Sequence, residues 1–181
     1  VHSEMPKQVS GLMHGYQLWV NLPRAHKMIP PRYQDIAPER FSTLEVDDAR
    51  VRLVAGEIGT HRGPVEGIVT APHMLDVTLP RRGSLEQTLP SSHNAFAYVI
   101  EGEVLFGDDL VPVARQSLAV FSRSLDQVAV RARSEAGARF LLFAGRPINE
   151  PVARRGPFVM NTEDELRQAY SDYQSGALTR L

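Results

Sequence analysis

The sequence predicts an all-β protein, a barrel or sandwich of short strands followed by one amphipathic helix, and two observations support this. Short apolar segments of strand length follow one another between residues 51 and 145, with Gly, Pro, Ser and Asp between them. Such a succession is typical of sandwiches and barrels. Near the end, Asn161 and Thr162 precede three acidic residues, and apolar residues then recur at helical spacing until Gly176.

The barrel strands are predicted from alternating or continuous apolar residues. They are residues 51–57, 74–79, 95–100, 103–106, 117–121, 127–133 and 138–145. The last segment is apolar on both faces, which predicts a central strand. The aromatic residues on these strands are expected in the core, although some could line a small ligand cavity: Phe96, Tyr98, Phe106, Phe121, Phe140 and Phe143.

The amino-terminal part of the chain has a different pattern. Residues 16–22 alternate apolar and polar side chains, which predicts a half-buried strand. Residues 23–38 contain repeated prolines, which cannot donate to a strand ladder, so we expect an extended connector and a domain boundary there. A single helix after a barrel needs another surface to cover its apolar stripe, and we expect a partner domain to supply it.

Composition excludes several classes of function. Twenty Lys and Arg against 21 Asp and Glu leave a net charge of -1, so no overall field attracts nucleic acid or an anionic membrane. The absence of cysteine removes disulfides, thiolate nucleophiles and zinc-thiolate sites. No apolar run reaches the roughly 18 residues that a membrane span needs. We expect a soluble, cytoplasmic protein, with the Arg81–Arg82 and Arg154–Arg155 doublets on solvated faces.

Several stretches of the sequence resemble the pirin family, and the resemblance runs nearly end to end. They are HSEMP (residues 2–6), GLMHGYQLWVNLP (11–23), HKMIPPRYQDI (26–36), HNAFAYVIEGEVLFG (93–107), FLLFAGRPINEPV (140–152) and GPFVMNTEDEL (156–166). The resemblance implies two tandem cupin-type barrels, each a jelly-roll double-stranded β-helix. It also implies that the amino-terminal barrel binds one iron through three histidines and a glutamate, and that the carboxy-terminal barrel binds none.

On this resemblance His2 and Glu4 are metal ligands, and Glu4 is also the catalytic residue that takes the substrate's hydroxyl proton. The two other histidines belong to an earlier H-x-H motif, which does not occur in residues 1–181. We therefore expect half of the iron site here, with the divalent metal absent or incompletely bound. Either the chain is a fragment of a longer protein or its first half has been lost.

The expected domains follow from the same resemblance. Residues 1–45 would be the remnant of the amino-terminal metal-binding cupin domain with its linker. Residues 46–150 would be the carboxy-terminal barrel, and residues 151–181 a tail with the helix. Strands left without partners around Trp19 are expected to pair with another copy of the chain.

The remaining histidines give no metal site by their spacing. His93 lies where a metal motif of the second barrel would begin, but Ala95 occupies the position of the required second histidine, so no metal is expected there. The others are scattered and expected to be surface or hydrogen-bonded residues, with His14 having some prospect of lining the amino-terminal cavity: His14, His26, His61 and His73.

Three functions stay open at this point. The resemblance implies an iron-dependent quercetin 2,3-dioxygenase in the parent protein, with a flavonol or similar small aromatic substrate. It also allows an iron-binding regulatory cofactor that contacts transcription factors or metabolic enzymes as protein partners. The third alternative is a non-catalytic structural cupin module. Iron-dependent oxygen uptake with quercetin separates the first from the others.

Overall fold

The computed structural model describes residues 10–123 and 126–178. The contacts within the chain form two compact units. One is Gln34–Pro147, here called the barrel unit, and the other combines Val1–Tyr33 with Ile148–Leu181. The two units divide the chain after Tyr33 and after Pro147. The expected domain limits after residues 45 and 150 stay predictions. No helix in the described part of the chain has the length and apolarity needed to cross a membrane.

The barrel unit is built from short antiparallel strands. They are β1 (Ser42–Val46), β2 (Ala49–Ala55), β3 (Glu57–Ile58), β4 (His61–Arg62), β5 (His73–Leu79), β6 (Ser84–Thr88), β7 (Asn94–Glu101), β8 (Glu103–Phe106), β9 (Val111–Ala114), β10 (Leu118–Val120), β11 (Gln127–Ala132) and β12 (Ala138–Gly145). Every strand predicted between residues 51 and 145 is present, so the all-β prediction is confirmed. Strands β1, β3, β4, β6 and β9 were not predicted.

Two sheets form the body of the barrel unit. The larger has the order β1-β2-β5-β12-β7-β10 and the smaller the order β6-β11-β8-β9. Strand β12 pairs with β5 on one side and β7 on the other, which confirms its prediction as a central strand. Strands β3 and β4 form a separate two-stranded ribbon.

The main core lies between the two sheets, because alternate residues of each strand point to the same face. Val77 and Phe140 of the larger sheet and Val104 and Val128 of the smaller sheet belong to this one buried cluster. The ring of Phe140 meets that of Phe106 edge to face, with centroids 5.5 Å apart. Such contacts between apolar side chains supply most of the free energy that stabilises a domain of this size.

Half of the aromatic residues expected in the core lie elsewhere. Phe96, Tyr98 and Phe143 belong to a second cluster with Ile100 and Leu141, and Phe96 stacks on Phe143 at 4.7 Å between centroids. The reason is strand parity. On β7, residues 95, 97 and 99 enter the main core, so residues 96 and 98 point to the opposite face of the sheet.

The strand predicted over residues 16–22 is wrong. No residue of that segment joins a strand ladder, and the side chains of Tyr16, Trp19 and Val20 are 44%, 60% and 42% exposed. Alternation describes the two faces of a strand, but a strand forms only where a neighbour accepts its backbone hydrogen bonds. The proline-rich connector is confirmed, with regular structure limited to single 3₁₀ turns at Arg24–His26 and Pro38–Arg40.

The second unit contains a hairpin and the predicted helix. The strands are β13 (Ala153–Arg155) and β14 (Phe158–Met160), and the helix is α1 (Glu163–Gln174). A capping box confirms the predicted start of the helix: the Glu165 backbone N–H donates to Thr162 Oγ1 at 3.2 Å, and the Thr162 N–H donates to the Glu165 carboxylate at 3.0 Å.

Part of the apolar stripe of the helix is covered within the chain. Leu166 is fully buried, and the ring of Phe158 on the hairpin packs against Tyr170 with centroids 4.8 Å apart. Tyr173 of the same stripe is 52% exposed, and the partner domain stays a prediction. Strands β13 and β14 are too short for their pattern to predict, and they supply part of the missing surface.

A candidate ligand pocket in the barrel unit

The residues predicted to bind iron, His2 and Glu4, lie outside the described residues, so their role stays a prediction. Within residues 10–123 and 126–178, no group of three or more His, Asp, Glu or Cys side chains could hold a metal ion. The described structure therefore does not supply an iron site by itself.

A pocket of about 450 Å³ lies in the barrel unit, and we call it the barrel pocket. Its polar lining consists of His73, Gln87, Thr88 and the carboxylates Glu57 and Glu86. The remaining residues that line it are Val46, Ile58, Gly59, Leu89 and Pro90. A largely apolar lining with a few polar groups is typical of small-molecule sites, whose volumes run from about 300 to 1,000 Å³.

Two polar side chains of this region occupy inward positions of their strands. His73 shares a face of β5 with the core residues Leu75 and Val77. Gln87 lies on β6 between the buried Leu85 and Leu89. A polar side chain at an inward position interrupts the apolar core. Ligand sites in the mouths of β-barrels combine apolar surface with a few polar side chains of this kind.

His93 lies beside His73 and is not among the residues that line the pocket. His93 is the residue immediately before β7, two positions before the buried Ala95. Its ring packs against the ring of His73, with 5.5 Å between the centroids. His93 is 6% exposed and Gln87 is 5% exposed, so both are buried polar groups.

The chain makes room for the His73 ring with a glycine. Gly56 follows β2 with φ +87°, and a Cβ at this position would lie 2.4 Å from His73 Cδ2. Both the positive φ and the lack of space favour glycine there. The turn between β2 and β3 therefore fixes where the imidazole can lie.

Several polar atoms at the pocket have no partner in the described part of the protein. Gln87 Nε2 donates to the Thr88 carbonyl oxygen at 2.7 Å, which leaves Gln87 Oε1 unpaired. The Nδ1 atoms of His73 and His93 are also buried without a hydrogen bond. An unsatisfied buried polar group costs about 1–3 kcal/mol, and in native proteins such groups commonly meet water, an ion or a ligand.

The imidazoles are held in the neutral form. Burial lowers the pKa of His73, and the nearby Glu57 carboxylate only partly opposes this effect. Burial also lowers the pKa of His93, and the Arg146 guanidinium and any proton taken up by His73 act in the same direction. At neutral pH both rings therefore carry one N–H and one acceptor nitrogen each.

The lowered pKa values predict that the protein loses stability when the pH falls. In the unfolded chain both histidines take up protons as the pH drops below about 6.5, whereas in the folded chain they resist protonation. Acid therefore favours the unfolded state over the range between the two pKa values. We expect the midpoint of urea unfolding to decrease between about pH 7.5 and about pH 5.5.

The variant His93→Gln tests this assignment, because glutamine does not titrate. Its midpoint should change less with pH than that of the unmodified protein, even if its stability at pH 7.5 differs. The exposed His61 on β4 provides the matched control, and His61→Gln should keep the full pH effect. An undiminished effect in His93→Gln would contradict the prediction.

The structure corrects the expectation for His73 and identifies residues that sequence reasoning missed. His73 is neither on the surface nor hydrogen-bonded through Nδ1, and Gln87 was not considered at all. The alternation of side chains along the strands could have identified both residues as inward-pointing. Residues 73, 75, 77 and 79 share one face, as do residues 85, 87 and 89. The arginine doublets are exposed as expected, with Arg81 paired to Glu135 and Arg155 to Glu163.

These two antiparallel sheets around one core, open to a pocket with inward polar residues, define a cupin barrel. Residues 74–179 match the Pirin C-terminal cupin domain. The chain belongs to the pirin family.

Relatives and solved structures agree with this assignment. A pirin-like protein of Caulobacter vibrioides is 41% identical over 97% of this chain and 63% of its own length. A Pseudomonas aeruginosa protein, whose name provisionally assigns it to the quercetin 2,3-dioxygenases, is 42% identical over 98% of this chain and 64% of its own length. The crystal structure of a quercetin 2,3-dioxygenase from Acinetobacter baumannii matches with a TM-score of 0.81 and 30% identity, over 88% of this chain and 55% of that one. The chain thus spans between 55% and 64% of the length of these proteins.

Proposed function

We propose that the protein represented by this chain is an iron-dependent dioxygenase of the quercetin 2,3-dioxygenase type, acting on a flavonol or a similar small aromatic substrate. The observation that carries the proposal is the similarity to the Acinetobacter baumannii quercetin 2,3-dioxygenase, at 30% identity and a TM-score of 0.81. The HSEMP sequence at residues 2–6, which resembles a pirin metal motif, supports it.

His2 and Glu4 are the residues of this chain that would hold the iron. They are two positions apart, so on an extended segment both side chains point to one face and can share a cation. Imidazole and carboxylate are the donors that non-haem iron takes. Two further histidines, expected from the family resemblance, do not occur with H-x-H spacing in these 181 residues, so the chain supplies half of the donor set.

The metal and the protein side chains would supply different parts of the reaction. Bound iron would supply Lewis-acid activation of the flavonol and access to dioxygen. Glu4 would accept the proton of the substrate hydroxyl. His2 would bind as a neutral imidazole and keep the ion in place.

Oxygen uptake tests the proposal. The complete gene product, loaded with ferrous iron, should consume one dioxygen per quercetin and release carbon monoxide with the ring-opened product. The 181-residue chain should retain little iron by elemental analysis and show little uptake. Tight iron binding without turnover in the complete protein would instead favour the regulatory role, and negligible iron in both would favour a structural module.

A further inference from the structure

We propose that the carboxy-terminal segment of the chain holds the proline-rich connector in place through a polar clasp, formed by Glu150, Asn161 and Glu165. The part that is held is the 3₁₀ turn Arg24–His26, which lies in sequence between the HSEMP motif and the barrel unit. Opening of the clasp would release this turn and leave the barrel unit folded. This role of the clasp does not depend on the dioxygenase function.

Glu150 supplies a hydrogen-bond acceptor that the turn lacks. The first N–H groups of a helical turn have no partner within the turn, and the preceding residue, Pro23, has no polar side chain to accept them. The Arg24 N–H instead donates to Glu150 Oε2 at 2.7 Å, from a residue 126 positions away in the chain. The carboxy-terminal segment thus makes the capping contact that a neighbouring side chain usually makes.

Asn161 orients the Glu150 carboxylate. Its Nδ2 group donates to the same Glu150 oxygen at 2.9 Å and to the Pro151 carbonyl oxygen at 2.9 Å. Asn161 is 8% exposed, so these hydrogen bonds are largely shielded from water. Loss of the carboxylate would leave one N–H of a buried amide without its partner, which disfavours any other position of Glu150.

Glu165 connects the same turn to the start of helix α1. Its Oε2 accepts the N–H groups of Asn161 at 2.9 Å and Thr162 at 3.0 Å, and its Oε1 is paired with Arg24 Nε at 2.6 Å. The hydrogen bond from Asn161 is the largest cause that lowers the pKa of Glu165, and Arg24 adds to it. The carboxylate that caps the helix therefore also binds the connector.

The basic residues of the connector complement these two carboxylates. Lys27 follows the turn and donates from Nζ to Asn21 Oδ1 at 2.6 Å. Burial lowers the pKa of Lys27, and attraction to Glu150 and Glu165 opposes this effect. The connector thus brings two cations, Arg24 and Lys27, to the acidic groups of the clasp.

The two attachments of Arg24 differ in strength. Its side chain is 66% exposed, so water screens the ion pair with Glu165 and the pair contributes little. Its N–H bond to Glu150 is charge-assisted and shares its acceptor with the buried Asn161. We therefore expect the clasp to depend most on the Glu150 carboxylate.

The chain contains a reporter for the amino-terminal segment. Trp19 is the only tryptophan of the 181 residues and lies shortly before the turn, and its side chain is 60% exposed. The barrel unit contains no tryptophan, so the fluorescence comes from the other unit alone. The anisotropy of this fluorescence measures how freely the segment moves, and hydrogen exchange of the Arg24 amide measures how often the turn opens.

Glu150→Ala should release the turn, because the Arg24 N–H loses its charged acceptor. We expect exchange of the Arg24 amide to accelerate at least about tenfold and the Trp19 anisotropy to decrease. Exchange of the Phe140 amide, on the central strand of the barrel unit, should stay unchanged. Unchanged exchange at Arg24 would refute the clasp. Equal acceleration at Phe140 would also refute it, since the turn would then open only together with the barrel unit.

Two further variants separate the clasp from a general loosening of the helix. Glu163→Ala removes a carboxylate that belongs to the same helical turn but pairs with Arg155, and it should leave both readouts unchanged. Arg24→Met removes the exposed ion pair and keeps the backbone N–H, so exchange at residue 24 should rise at most about fivefold. An effect of either variant as large as that of Glu150→Ala would overturn the role assigned to Glu150.

Discussion

Replacing Glu4 with glutamine or His2 with alanine is expected to lower iron-dependent oxygen uptake with quercetin by more than about 100-fold. Substitutions of residues that merely support metal ligands already reduce affinity or activity about 10- to 100-fold, and these substitutions remove a ligand itself. An oxygen electrode measures the uptake in the complete gene product, and elemental analysis measures the iron that remains bound. Iron content and uptake should fall together in both variants.

Two exposed residues supply the controls for this experiment. Glu45→Gln on β1 and His61→Ala on β4 make comparable changes of charge and size on the surface of the barrel unit. Both variants should keep full iron content and full uptake. Retention of iron and activity in the His2 and Glu4 variants would contradict their role as ligands, whatever the controls show.

The largest expected effect on stability is that of Phe140→Ala, at about 3–5 kcal/mol in the free energy of unfolding. Phe140 is fully buried on the central strand β12 and packs edge to face on Phe106. Alanine removes the ring and leaves a cavity between the two sheets, which the surrounding strands can fill only partly. Urea unfolding followed by far-UV circular dichroism gives the value.

Tyr33→Ala is the control for the loss of an aromatic ring. Tyr33 is 83% exposed, so its removal should change the free energy of unfolding by less than about 0.5 kcal/mol. A loss below about 1 kcal/mol in Phe140→Ala would show that the main core does not depend on this ring.

The strands of the barrel unit could be predicted where their own side chains determine burial. Residues 138–145 are apolar on both faces, and this alone identified the central strand. Strand β6 escaped prediction because Glu86, Gln87 and Thr88 are polar, and its place in the sheet comes from pairing with β11. The segment 16–22 shows the converse, since its pattern suits a strand but it is not part of any strand ladder.

The candidate site was less accessible to sequence reasoning, for two different reasons. His2 and Glu4 were identified through a family motif, and their geometry lies outside the described residues. The barrel pocket brings together His73 of β5 and Gln87 of β6, and His93 lies beside His73. The positions of these residues along the chain do not predict that they lie close together. His73 and Gln87 belong to two different sheets, which come together only in the folded barrel.

The position of β12 also affects how the protein is made. Strands β5 and β7 have no direct ladder with each other and are joined only through β12, the last strand of the barrel unit along the chain. During synthesis, the ribosome must therefore release residues up to Gly145 before the larger sheet can close. Until then one edge of each of these two strands stays unpaired, and unpaired strand edges make a nascent polypeptide prone to aggregation.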